Sequence, residues 1–96
     1  MLMINVYRWR DDMHTTEAGQ QIMKAYGERG ASPNEVAHYV FADGTGGVVI
    51  TDGEDAGWAY RSALDFAEFL DLSATSSHVA LTLADALPHV ADRLGG

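Results

Sequence analysis

Three glycines fall within four residues in the stretch HYVFADGTGGVVITD, residues 38–52, and apolar runs flank them on both sides. A glycine loop that cradles phosphate joins a strand to a helix, so that backbone N–H groups and the helix N-terminus point at the anion. Here the glycines join a strand to another strand. Neither GK[ST] nor GxGxxG occurs. Asp43-Gly44 supplies the left-handed dihedrals of a tight hairpin, and Gly46 or Gly47 suits a bulge beside it. The stretch therefore predicts a β-hairpin and argues against a nucleotide fold.

The rest of the chain arranges itself around that hairpin. Residues 2–9, LMINVYRW, read as a strand that is apolar at nearly every position, the pattern of a strand covered on both faces. Asp11 and Asp12 are candidate N-caps for a helix over 14–29, with Ala18, Ile22, Ala25 and Tyr26 at helical spacing and Gly30 as C-cap. A loop, ASPN (31–34), precedes strands over 36–42 and 47–51. Asp55 caps a helix over 56–70, in which Ala59, Ala63, Phe66 and Leu70 make one stripe. A fourth strand covers 72–81. The Thr-x-x-Asp start at Thr82 opens a last helix, 83–94, with Leu83, Leu87, Val90 and Leu94. Pro88 inside it predicts a kink, or a short turn followed by a fresh start.

The order β-α-β-β-α-β plus a C-terminal helix is the ferredoxin-like pattern: one α+β domain over 1–96, with a four-stranded antiparallel sheet and two helices on one face. Both parities of the strands are apolar: Leu2, Ile4 and Val6 against Met3, Tyr7 and Trp9, and Val40 and Ala42 against Tyr39 and Phe41. One helix layer hides one parity. Either a second copy covers the other face, giving a homodimer, or the C-terminal helix folds across it.

Composition limits the partners. The formal charge is −8 with six Lys and Arg, so no basic face exists to meet nucleic acid or an anionic membrane. No apolar run approaches the roughly 20 residues of a spanning helix, and the first residues do not follow the signal-peptide pattern. Cysteine is absent, which excludes disulfides, thiolate metal sites and a cysteine nucleophile and fits a reducing cytoplasm. Four His without metal-ligand spacing predict no metal site.

The stretch FADGTGGVVITDGEDAGWAYRSALDFAEFLDL (41–72) resembles a domain-of-unknown-function family of short bacterial proteins. Ala42-Asp43-Gly44, Tyr60-Arg61, Ala63 and Phe69-Leu70-Asp71 occupy the positions of that family's hairpin and helix pattern, and Trp9 fits its first strand. The resemblance implies a dimeric α+β barrel, the superfamily of antibiotic-biosynthesis monooxygenases, small polyketide cyclases and haem-degrading enzymes. It also implies roles for Asn5 on the first strand and Trp58 on the second helix. The haem degraders carry an iron-ligating His on that helix. Residues 59–70 contain none, so no haem and no other cofactor is expected.

In such an architecture the pocket lies between sheet and helices. Asn5, mid-strand in an apolar run, is a candidate to hold a carbonyl or enolate oxygen, or a structural amide. His38 and His78 are candidate general acid–base groups, or buried neutral histidines. Tyr7, Trp9, Tyr39, Trp58 and Arg61 are candidate substrate contacts. Arg61 and Asp65 are spaced for an exposed i, i+4 ion pair. Strand parity stays open at this level. Three functions fit: a cofactor-independent oxygenase, cyclase or isomerase acting on an aromatic or polyketide-like molecule; a non-catalytic small-ligand binder; and a structural dimer without a pocket.

Overall fold

The computed structural model describes residues 1–29 and 32–95. It is α+β: four antiparallel strands form one open sheet, accompanied by three helices. The strands are β1 (Leu2–Arg8), β2 (Glu35–Val40), β3 (Gly46–Asp52) and β4 (Ser76–Val79). Their spatial order is β2-β3-β1-β4. The helices are α1 (Thr16–Arg29), α2 (Ala56–Asp65) and α3 (Leu83–Arg93). The expected cap at Gly30, and Ala31 of the following loop, lie outside the described residues. No helix among the described residues is long and apolar enough to cross a membrane.

The hairpin forms where the glycines place it. Gly44 has φ +76°, Phe41 N–H donates to Gly46 O at 2.9 Å, and Asp43 Oδ1 accepts from the amide and hydroxyl of Thr45. Gly46 and Gly47, however, lie in regular pairing opposite Arg8 and Tyr7. Their smallness serves close approach instead. A Cβ on Gly47 would strike the ring and hydroxyl of Tyr7 and come within 2.5 Å of Tyr39 O. The register shift falls at the far end of β2, between Glu35 and Ala37.

Several element ends move for identifiable reasons. Asp11–Met13 is a short 3₁₀ turn rather than the cap of α1, and Thr15 Oγ1 accepts the Ala18 amide instead. Asp55 caps α2 by accepting from Trp58 N–H at 2.8 Å. α2 stops at Asp65, five residues short of the expected end. The chain there bends so that Leu70 bridges Trp9 and Arg10 N–H reaches Phe69 O, which buries Phe69 and Leu70. β4 is shorter than the expected strand, because Leu72–Ala74 is a 3₁₀ turn capped by Asp71. α3 runs through Pro88 as one helix without a fresh start, with Thr82 Oγ1 accepting from Asp85 N–H.

Register separates the two sheet faces. Met3, Asn5 and Tyr7 share a face with Val49, Thr51 and His38, their partners across the ladders. Ile22 and Tyr26 of α1 and Trp58 and Ala63 of α2 line a cleft with these same residues, so both helices cover this face. Here lie buried Met3 and Thr51, with Ala18 and Ala25 packed from α1. The opposite face carries Leu2, Ile4 and Val6 with Val48 and Ile50, and α3 does not fold across it. No described residue of α3 is buried.

Candidate functional site

Between the sheet and α1 and α2 lies a half-open cleft of about 410 Å³. Its floor is β1 and β2, and its walls are mostly aromatic and aliphatic, with the hydroxyls of Ser32, Ser62, Thr75 and Ser77 among them. Trp9 meets the Tyr7 ring edge-on, with centroids 5.0 Å apart, and Trp58 and Phe66 contribute from α2 and the residue after it. Among the described lining residues there is no Lys or Arg, and Glu35 supplies the only carboxylate.

The polar centre is a chain of three side chains. Tyr7 Oη and His38 Nε2 are 2.7 Å apart, a hydrogen bond. Glu35 Oε1 lies 3.4 Å from the other ring nitrogen, Nδ1. A carboxylate beside Nδ1 favours the tautomer with its proton there, leaving Nε2 to accept from the Tyr7 hydroxyl. Burial raises the Tyr7 pKa above its ordinary value of 10.0, and nearby Tyr26 and Glu35 raise it further. The Tyr26 phenol is likewise raised, by burial and then by Glu35. Tyr7 is therefore a phenol, not a phenolate, at neutral pH.

The register shift in β2 builds this chain. In a regular strand, residues 35 and 38 point to opposite faces. The extra residue between Glu35 and Ala37 changes the phase, so Glu35 pairs with Thr51 and joins His38 on the helix-covered face. Val36, the residue at the irregularity, is exposed.

The structure brings Asn5, Tyr7, Trp9, His38 and Trp58 to one cleft. It does not bring His78, which pairs with Ile4 on the opposite face and meets Ser76 Oγ at 3.1 Å. Tyr39 pairs with Val48 on that same face. Arg61 lies outside the cleft, exposed, 3.8 Å from Asp55 and not paired with Asp65. Asn5 is in the cleft wall, but its amide is turned to the sheet. Nδ2 donates to Val49 O at 3.1 Å, and Oδ1 is buried without a partner. Sequence reading missed Glu35 and Tyr26. Tyr26 lay in the helical stripe, visible as core, whereas Glu35 sat one residue before the expected strand.

No group of three or more His, Asp or Glu among the described residues could hold a metal ion. No family model, curated protein or solved structure matches this chain.

Proposed function

We propose that this protein is a small cofactor-independent enzyme that moves a proton on an uncharged aromatic or polyketide-like ketone or phenol held in the cleft. The observation that carries this reading is the Glu35–His38–Tyr7 chain opening onto an apolar, aromatic-walled cavity. A planar ring fits between Trp9, Trp58 and Phe66, and its oxygen or acidic C–H lies toward Tyr7. The Tyr7 oxygen takes a proton from the substrate as its own proton passes to His38 Nε2. Glu35 balances the imidazolium that forms. The reverse transfer returns the proton to another atom of the substrate, so an isomerisation or ring closure needs no net proton. Because burial raises the Tyr7 pKa, its oxygen favours taking the substrate's proton as its own passes to His38. The absence of a described cation in the wall disfavours a carboxylate ligand.

We read the architecture as ferredoxin-like. What supports this is the strand order β2-β3-β1-β4, with β1 and β3 central and the two β-α-β crossovers interleaved. A homodimer closing sheet against sheet, as in the dimeric α+β barrels that the sequence resembles, is supported by the apolar open face. That the walls beyond the three-residue chain are mostly apolar, with no further described titratable side chain except Tyr26, favours a second reading, binding without turnover.

Deuterium exchange at the α-carbon of 2-tetralone in D2O, followed by proton NMR, tests both. The expected result is protein-dependent exchange that falls by roughly 100-fold or more in Tyr7→Phe and His38→Ala, the usual scale of one acid–base group. Saturable binding without exchange leaves the binding reading. Neither binding nor exchange overturns both.

A further inference from the structure

We propose that Tyr26 of α1 holds the substrate's oxygen: its phenol donates to the carbonyl oxygen of an enolisable ketone whose α-carbon faces Tyr7. This rests on the proton-transfer reading of the cleft and narrows its substrates to ketones that carry an α C–H.

Tyr7 serves only one end of such a substrate. Its hydroxyl donates to His38 Nε2 at 2.7 Å, so its oxygen meets the ligand as an acceptor. A ketone that loses an α-proton to that oxygen gathers negative charge on its carbonyl oxygen, two bonds away. The charge needs a donor other than Tyr7.

Tyr26 stands in that position. It follows Ile22 by one helical turn, and both line the cleft from α1. Its ring lies against His38, with centroids 6.1 Å apart and planes tilted by 59°, while Tyr7 meets the same imidazole edge-on at 5.6 Å. Two phenols thus flank one histidine, one from the sheet and one from the helix that covers it. Burial and then Glu35 raise the Tyr26 pKa, and Tyr26 adds to the burial that raises Tyr7. The two hydroxyls and the carboxylate therefore share one electrostatic neighbourhood, and Tyr26 keeps its proton, as a donor must, at neutral pH. Tyr26 is 42% exposed, at the rim of the cleft, where an entering ligand meets it.

Asn5, Ser32 and Thr75 also carry donors in the cleft, but each is spent. Asn5 Nδ2 donates to Val49 O, Ser32 Oγ to Glu54 Oε1 and Thr75 Oγ1 to Asp71 O. Ser77 lies opposite Asn5 on β4. The Tyr7 ring leans the other way, over Gly47 of β3, and two strand spacings, roughly 10 Å, separate β4 from β3.

The step balances within the cleft. The α C–H bond breaks toward Tyr7 Oη as the Tyr7 proton passes to His38 Nε2. The C–H electron pair becomes the C=C bond of the enolate, and the carbonyl π pair moves onto oxygen, where Tyr26 O–H donates. Tyr26 keeps its own proton throughout. Return of the proton to carbon by the reverse route restores a ketone.

Two measurements on the full chain test this. In deuterium exchange of 2-tetralone, Tyr26→Phe should lower kcat by roughly 100-fold, the scale of one lost oxyanion donor. KM should rise by less than about tenfold, the worth of one neutral hydrogen bond. Because the variant keeps the ring at an exposed position, far-UV circular dichroism should show it folded. In the second measurement, the wild type should bind 2-naphthol, which carries an enol-like oxygen, roughly 3–10-fold more tightly than naphthalene. Tyr26→Phe should erase that preference and Tyr7→Phe should keep it. Unchanged exchange in Tyr26→Phe overturns the assignment and leaves the Glu35–His38–Tyr7 chain standing. A naphthol preference that Tyr7→Phe erases and Tyr26→Phe keeps places the oxygen at Tyr7 and overturns it too. A wild type without exchange overturns the proton-transfer reading and this inference with it.

Discussion

The two faces of the sheet are built from similar residues and end in different states. On the helix-covered face, Met3 is 2% exposed and Thr51 is fully buried; Tyr7 and His38 bond each other and the Asn5 Nδ2 donates to the backbone, while Asn5 Oδ1 and Thr51 Oγ1 are buried without a partner. On the open face, Tyr39 is 63% exposed and Ile4, Val6, Val48 and Ile50 are half-buried. One face is a packed wall into which a cleft has been cut. The other is an apolar surface awaiting a cover. A polar chain such as Glu35–His38–Tyr7 is worth more on the first face, where low dielectric strengthens each hydrogen bond. Apolar side chains on the second face contribute fully only when something covers them. The proposed site and the proposed assembly surface thus lie on opposite sides of the same four strands.

The largest effect that would sharpen this contrast comes from the buried face. Met3→Ala should cost about 2–5 kcal/mol, the range for truncating a buried Met, read from urea unfolding. Tyr39→Ala should cost less than about 1 kcal/mol at high dilution, as an exposed side chain does. Equal losses for the two would erase the distinction between the faces. Next is Gly47→Ala. Its methyl group meets the Tyr7 ring and the backbone carbonyl of Tyr39, an overpacking that costs typically 1–3 kcal/mol. Because Tyr7 must move, the variant should also lose the proposed exchange activity. Full activity in Gly47→Ala would mean that the Tyr7 position is not needed.

A smaller effect is set by pH. The folded state holds the Tyr7 proton more tightly than the unfolded chain does, since its pKa is raised. That contribution to stability is fully present below the unfolded value near 10 and is lost as pH rises through the folded value. The urea midpoint should fall above about pH 10 in the wild type and fall less steeply in Tyr7→Phe. Identical slopes would show that burial does not hold this proton. The smallest effect belongs to Asp43. Hydrogen bonds from Thr45 lower its pKa, so its contribution is present above the unfolded value and lost as pH falls through the folded one. Asp43→Ala should lower the melting temperature slightly at neutral pH and not at all once the wild-type carboxyl is protonated.

Much of this was legible in the sequence, in particular places. Asp43-Gly44 marked the hairpin because only a few residues tolerate φ > 0. The apolar stripes marked the helices, and Thr82 and Asp55 marked two of their starts. Five of the eight candidate site residues reach the cleft. Two of the three that do not share one cause: strand parity cannot be read where both faces are apolar. His78 and Tyr39 fell to the open face for that reason, and Arg61 turned to Asp55 because α2 begins there. Glu35 was hidden by the register shift in β2. A bulge leaves no composition signal beside Val36, yet it decides that the carboxylate stands behind His38 and not on the far side of the sheet. The end of α2 was misplaced because Phe66–Leu70 keeps helical spacing, while the Trp9–Leu70 bridge bends it away.

The most direct test of the proton chain is nitrogen-15 NMR of the four imidazoles, recorded with and without 2-naphthol, an uncharged planar phenol. The two ring nitrogens of His38 should shift on binding while those of His14, His78 and His89 stay in place. The His38 response should shrink in Tyr7→Phe. A bound naphthol that leaves His38 unmoved, or that moves His78 instead, would contradict the assignment of the cleft as the site.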